Sequence, residues 1–329
     1  MGAAAPSVLG WGTLAAPGRG VGPLRAAAAD TRAALPADGG TAFTVPGSDP
    51  AAALGLRGLR PLSRASRLAC VAAADALAHP EPPPAAPERR AVVLGTRWGS
   101  IEPLLGFERM ALREGPRRVN PARFPNVVVN VHAGYLGILF AMAGPNVTLC
   151  GPVAGLEAVG QASDLLVLDR ADCVLAGGTD DLGPSLLAAM RGSHPTPGEG
   201  AALLLLGRAG LEGRAPLARL GGVHSCVAAR GDDVAAARRE AIGGALEHAG
   251  VDPGEVAVAW CTGADLPAGA GCAPAVVHRL ERVTGACRAA GGALSAAMAA
   301  ADAGDLEAVT MATAFAPDGA QCAAVMLSP

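Results

Sequence analysis

A chain of 329 residues, 51% of them apolar, can bury an ample core, either as one large domain or as two similar halves. Its formal net charge of -3 gives no reason to expect nucleic acid or an anionic membrane as partner. No lysine is present, and the abundance of Ala, Gly, Pro and Arg reads as coding bias more than as a functional choice.

Short apolar runs alternate with Ala-rich helical stretches, which predicts βαβ units and mostly parallel, doubly covered sheets. In the first half, strands are expected at Ser7–Gly12, Ala91–Leu94, Val147–Leu149, Cys173–Ala176 and Ala202–Leu206. Helices are expected over Arg64–Leu77 and Gly155–Leu168. HPEPPPAAPERR, His79–Arg90, reads as a solvated loop, and only SHPTPGE separates Gly192 from Gly200. The second half offers strands at Leu217–His224, Val256–Trp260, Ala308–Ala312 and Cys322–Leu327. The halves meet near Arg208 to Arg214, dividing the chain as 1–207 and 208–329. Periodicity by itself supports no more than an α/β class.

The eight cysteines include no C-x-x-C pair and no His-x-x-x-His accompanies them, so reduced, mostly buried thiols are expected and neither metal nor cofactor is predicted. His224 and Cys226, in GGVHSC, fall on a strand where a structural reading is favoured, and His132, in VNVHAGYLG, reads as packed rather than catalytic. The first arginine is Arg19, so no basic stretch precedes the N-terminal apolar residues, which argues against a secretory signal. The apolar run Val131–Ala143 is interrupted and too short to span a bilayer, and a cytoplasmic protein is expected.

The most informative segment is GPNVTLCGPVAGLEAVG, Gly144–Gly160: a short strand, a tight turn at Gly151 and Pro152, then a helix. Around it stand GTRWGS (Gly95–Ser100), RRVNPARFPNVVVNVHAGYLGILFAMAGPN (Arg117–Asn146) and DRADCVLAGGTDDLGPS (Asp169–Ser185). The chain opens on SVLGWGTLAAPG (Ser7–Gly18) and closes near QCAAVML (Gln321–Leu327). In this order and spacing the pieces resemble the β-ketoacyl synthases of the thiolase superfamily. The resemblance implies an α/β, thiolase-like, duplicated and layered αβαβα fold. In ketosynthases this turn brings a cysteine to a helix N-terminus, where the dipole and backbone N–H groups favour the thiolate. The family cysteine stands three residues before a glycine, and with Gly155 as that glycine its place is taken by Pro152.

Both family histidines are missing as well. Matching WCTGADLPAG (Trp260–Gly269) on its glycine and Pro-Ala-Gly puts Thr262 at the first. Matching CRAAGGALSAAMAA (Cys287–Ala300) puts Gly292 at the second and Cys287 at the nearby lysine. In AFAPDGAQC, Pro317 and Asp318 fall where a gating Phe and glycines are usual. Those histidines polarise a malonyl thioester and hold the oxyanion, which neither Thr262 nor Gly292 can do.

A ketosynthase-like chain without a nucleophile is most similar to the chain-length factors, the ketosynthase beta subunits of type II polyketide systems. That resemblance implies no catalytic residue, a heterodimer with an active ketosynthase through Asn126–Thr148, an acyl carrier protein as second partner, and a role in shaping the elongation tunnel. Trp98 falls where the family places a pocket-floor residue reaching across the dimer, with Phe107 and Met110 on the adjoining helix; an ordinary core position for Trp98 is the alternative. A long, narrow tunnel would suit a polyene or other reduced chain, and the residues do not separate that from an aromatic polyketide. Two other readings stay open: an active acyltransferase using Cys150 as a displaced nucleophile, and a degenerate homodimer that scaffolds a carrier protein. Cys150 is expected to be a buried strand-end thiol, and Cys261 beside Thr262 is a weaker nucleophile candidate.

Overall fold

The structure, a computed structural model, describes residues 5–30, 41–46, 54–55, 59, 62–78, 85–211, 214–229 and 233–329. The first half runs β1 (Ser7–Ala15), β2 (Gly18–Arg19), α1 (Val21–Ala29), α2 (Arg64–Ala76), β3 (Arg90–Thr96), α3 (Ile101–Glu114), α4 (Val131–Leu139), β4 (Asn146–Cys150), α5 (Ala154–Val167), β5 (Cys173–Asp180), α6 (Pro184–Ala189) and β6 (Gly200–Gly207). The second runs β7 (Ala218–Val227), α7 (Val234–Ala249), β8 (Val256–Thr262), β9 (Val276–Arg279), α8 (Glu281–Thr284), α9 (Ala289–Leu306), β10 (Val309–Phe315) and β11 (Ala320–Leu327). The expected strands and helices are all present; β2 and β9 are additions, and most of the expected loop His79–Arg90 lies outside the described residues.

Local chemistry accounts for the boundaries. Ser63 caps α2 by accepting from the Ser66 N–H at 3.2 Å, and Asp233 caps α7 by accepting from Ala235 at 2.8 Å. Gly250 ends α7 in the left-handed conformation that a side chain would disfavour. The four leucines Leu203 to Leu206 of β6 are fully buried, as a strand covered on both faces requires.

Among the described residues one sheet carries the order β4-β3-β5-β6-β1-β7-β11-β10-β8-β9, with β2 paired to β1. Leaving β2 aside and counting strands within each half, both halves read outward from the centre as first, fifth, fourth, second, third. Directions match too: β1/β6 and β5/β6 are antiparallel like β7/β11 and β10/β11, and β3/β5 and β3/β4 parallel like β8/β10 and β8/β9. The halves join where Ser7 and Val8 of β1 pair with Arg219 and Ala218 of β7.

The expectation of mostly parallel strands is therefore corrected. Parallel pairing is confined to the outer strands of each half, linked by helical crossovers except between β8 and β9, where the loop 263–275 makes the connection. The last strand of each half returns antiparallel: β10 and β11 are joined by a short turn, which cannot carry the chain back to start a parallel strand.

Helices α2 and α4 cover one face of the first-half strands, α7 covers the outer face of the second half, and α5 and α9 lie between, α9 touching β5 and β6 as well as β8, β10 and β11. The result is the layered thiolase-like arrangement. At its centre the sequence AAGGALSAAMAAADAGDL of α9 has small side chains on every side, and Ala289 to Ala303 are all buried. Among the described residues no helix is long and apolar enough to cross a membrane.

Candidate functional site

The turn from β4 into α5 is pinned by Gly151, whose N–H donates to the Thr96 carbonyl at 3.1 Å. Pro152 follows, with no N–H to offer at the opening of the helix. It lines a cavity of about 20 Å³ together with Val153, Thr262, Gly263, Glu281, Arg288, Ala314, Phe315 and Ala316. The structure thus brings Pro152 and Thr262, assigned from separate motifs, to one small hole with room for about one water molecule.

Gly292 sits behind this hole on α9. A Cβ built there would already lie 3.1 Å from the Leu156 nitrogen, the Leu156 Cβ and the Ala314 Cβ, so an imidazole has no space without moving α5 or β10. Gly155 on α5 faces the carbonyl of Ala289, and a Cβ there would collide with it, which is why the two central helices can cross so closely. Cys287 is buried; its thiol donates to the carbonyls of Thr284 at 3.3 Å and Glu199 at 3.4 Å, and burial pushes its pKa well up.

Two residues of the cavity were not foreseen. Glu281, the first residue of α8, accepts weakly from the Thr262 hydroxyl at 3.5 Å. Burial pushes its carboxyl up, while the Arg288 charge, the Gly263 N–H and the Thr262 hydroxyl pull it back. Arg288 precedes α9 with φ 51 and ψ -118, a conformation that a non-glycine residue holds only when its surroundings impose it. On the other side of Glu281 and Gly263 a second cavity of about 220 Å³ is lined by Pro195, Cys261, Ala264, Arg279 and Arg282. Arg279 forms an ion pair with Asp265. What gathers at the position of the resembled active site is a carboxyl, three guanidiniums and a hydroxyl, with no thiolate and no imidazole lining it.

The other candidates lie elsewhere. Cys150 is exposed at the end of β4 and does not line either cavity, which corrects the expectation of a buried thiol: β4 is an edge strand, so one side of it is open. Cys261 is buried, and desolvation pushes its thiol up to about 11. Five of the eight thiols are buried. His132 is buried with Nδ1 at 2.7 Å from the Ser66 hydroxyl, and burial lowers its pKa to about 4. His224 lies on β7, packed over Gly244 and 5.4 Å from the His248 ring. Pro317 and Asp318 are exposed in the β10–β11 turn; it is Phe315 and Ala316, just before them, that line the small cavity.

Trp98 is half-buried in the turn after β3 and packs against its own chain, on the cluster of Ala42, Leu182, Leu186 and Met190. Phe107 and Met110 are half-buried on α3, and Phe107 meets Phe124 edge to face at 6.1 Å. This face is open. None of the residues of α3 is buried, Leu112 and Ile138 are 86% and 80% exposed, and β4 ends the sheet with an unpaired edge.

Comparison with known proteins bears on the fold. Residues 48–196 match the family model of the Beta-ketoacyl synthase, N-terminal domain. The 3-oxoacyl-[acyl-carrier-protein] synthase 2 of Rhizobium meliloti (strain 1021) is 36% identical over 92 residues, 27% of this chain and 21% of that protein. The chain therefore aligns with about a fifth of the length of the curated relatives it matches, 21% and 22% for the first two. Over the whole fold, the ishigamide ketosynthase/chain length factor superposes with a TM-score of 0.80 at 28% identity, covering 99% of this chain and 100% of that one. A type II PKS acyl-carrier protein in complex with its ketosynthase, bound to the hexaketide, matches at TM-score 0.79 and 19% identity over 99% of each chain, a likeness of fold alone.

Proposed function

We propose that this chain is a chain-length factor: a ketosynthase-like subunit without catalysis of its own that pairs with an active ketosynthase and walls its elongation tunnel. The observation that carries the reading is the cavity of about 20 Å³ where Pro152 and Thr262 meet, backed by a Gly292 with no room for an imidazole. An acyl thioester needs a nucleophile, a base and oxyanion donors around a space many times larger. The 28% identity with the ishigamide ketosynthase/chain length factor over its full chain adds weight.

The open face supports the pairing. A free sheet edge at β4, with Ile138 exposed on the adjoining α4 and Leu112 exposed on α3, is the kind of surface that a partner covers. The segment Asn126–Thr148, which holds α4 and the start of β4, is its centre. A carrier protein would deliver chains to the partner's cysteine, not to this one.

The test is to purify the chain with an intact type II ketosynthase as partner and challenge the pair with malonyl and acyl carrier protein. Acyl groups are expected on the ketosynthase and none on this chain; an adduct on Cys150 that disappears in Cys150→Ser would make it an acyltransferase. In the same pair, Trp98→Ala is expected to lengthen the product at an unchanged loading rate. An unchanged distribution would leave Trp98 as packing for Leu182 and Met190 and move the search to Phe107 and Met110.

A further inference from the structure

Trp98 sits on a turn, and turns of this length seldom hold a large side chain in one place unaided. The indole packs on the Ala42, Leu182, Leu186 and Met190 cluster, and the backbone that presents it is held by a single carboxylate. Asp180, the last residue of β5 and 2% exposed, accepts on Oδ1 from the Thr96 hydroxyl at 2.9 Å, the Arg97 N–H at 2.9 Å and the Trp98 N–H at 3.0 Å. Its Oδ2 accepts from the Arg97 N–H at 3.1 Å and from the Ala289 N–H at 3.1 Å. The Thr96 hydroxyl in turn accepts from the Gly99 N–H at 2.9 Å, which closes the turn around the carboxylate. Ala289 opens α9 immediately after Arg288, so its N–H is one of those that a helix leaves without an internal partner.

We infer that Asp180 is the positioning residue for Trp98: it fixes the turn Thr96–Gly99 against the first turn of α9 and so sets where the indole stands. This rests on the chain-length reading above, in which the place of that indole matters to a product. The chemistry favours a carboxylate over any substitute. It accepts on both oxygens and has nothing to donate, whereas an asparagine would turn an NH₂ group toward one of two clusters of N–H donors. Burial pushes the carboxyl up to about 6, and the four donors hold it from rising further, so near neutral pH it is the ionised, acceptor-only form that the turn surrounds. The same contact reaches the small cavity, since Arg288 lines it and Gly291, one turn into α9, faces the Thr262 hydroxyl.

The experiment uses the heterodimer with its ketosynthase and two readouts. Amide hydrogen exchange should be at least tenfold faster at Arg97, Trp98 and Ala289 in Asp180→Asn, with β6 unchanged. Product length should shift in the direction given by Trp98→Ala, and the double variant should go no further than Trp98→Ala alone, because a residue that acts by placing Trp98 has nothing to place once the indole is gone. Exchange unchanged at those three amides overturns the inference. So does a double variant whose shift is the sum of the two. If Trp98→Ala itself leaves the products unchanged, Trp98 has no part in setting product length and the search moves to Phe107 and Met110, while the exchange rates still decide whether Asp180 holds the turn. Thr96→Val keeps the carboxylate and removes the hydroxyl that donates to it and accepts from the Gly99 N–H; it should give the same changes at smaller amplitude and serves if Asp180→Asn does not fold.

Discussion

Helices α9 and α3 make opposite use of apolar sequence. In α9 the residues are small, every side is covered, and the helix exists only because α5 and strands of both halves close around it. In α3 the apolar residues Ile101, Leu104, Leu105, Met110 and Leu112 are larger, yet none is buried. Of these only Leu112 is strongly exposed, at 86%, and in the reading proposed above this helix would meet the partner, whereas around α9 nothing further can enter. Stability resides in α9, and the proposed pairing would use α3. That separation can be broken or sharpened by substitutions on each side.

The largest effect is expected where α5 crosses α9. Gly155→Ala puts a methyl group into the Ala289 carbonyl, with Gly178 of β5 closing the other side of the contact. Relief requires moving a buried helix, at a cost of about 3 kcal/mol or more. The denaturant midpoint should fall steeply, and a midpoint equal to that of the parent would mean that the central helices can part without loss. On α3, Gly106→Ala meets nothing within 4 Å and should stabilise by about 0.5 to 1 kcal/mol through helix propensity alone.

A smaller effect, still on the buried side, comes from Asp181. Burial, with Glu199 and Asp180 close by, pushes its carboxyl up to about 7 despite the Arg64 charge. The folded chain therefore holds this proton up to about pH 7, whereas the unfolded chain releases it near 3.8. In that window the folded state binds more protons, so this group lowers stability as pH rises from about 4 to about 7 and adds no further change above. Asp181→Asn should gain on the parent by about 2 to 4 kcal/mol at pH 8, with the difference vanishing near pH 4. His132, lowered to about 4, contributes the opposite slope, losing stability as pH falls from 6.5 toward 4; it is common to both proteins and cancels in the difference. A constant difference across the range would contradict the shift.

These contrasts also explain which parts of the molecule the sequence revealed. The strands at Ser7, Ala91, Val147, Cys173 and Ala202 were legible because each is a short apolar run between turn residues, and Pro152 and Thr262 met in one cavity because their motifs place them by spacing. Strand direction was not legible, since an apolar run looks the same whichever way it pairs. Glu281 and Arg288 were missed for a different reason: Glu281 opens a four-residue helix and Arg288 follows it, both after a Gly, Ala and Pro-rich stretch at 263–275, in elements too short to carry periodicity. A left-handed arginine has no signature at all. The exposure of Cys150 follows from β4 being at the edge, which is a property of the whole sheet order and not of its five residues.

The smallest change in stability is expected on the open face, and it is the most informative about function. Ile138 on α4 is 80% exposed and Leu112 on α3 is 86% exposed, so neither gives up much contact when shortened or charged. Ile138→Asp and Leu112→Ser should each move the unfolding free energy of the isolated chain by no more than about 0.5 kcal/mol, the range of surface substitutions away from caps and ion pairs. In the heterodimer the same positions would sit inside a dry contact beside the β4 edge, where an aspartate without a partner is costly by several kcal/mol. Titrated against the ketosynthase, Ile138→Asp should weaken association at least tenfold, and Leu112→Ser by less, since serine buries no charge. Sedimentation of the mixture reads both. Undiminished association of both variants would place the contact off α3 and α4 and leave their exposed residues without a role in assembly, whereas lost stability in the isolated chain would show that this face already supports the fold as α9 does.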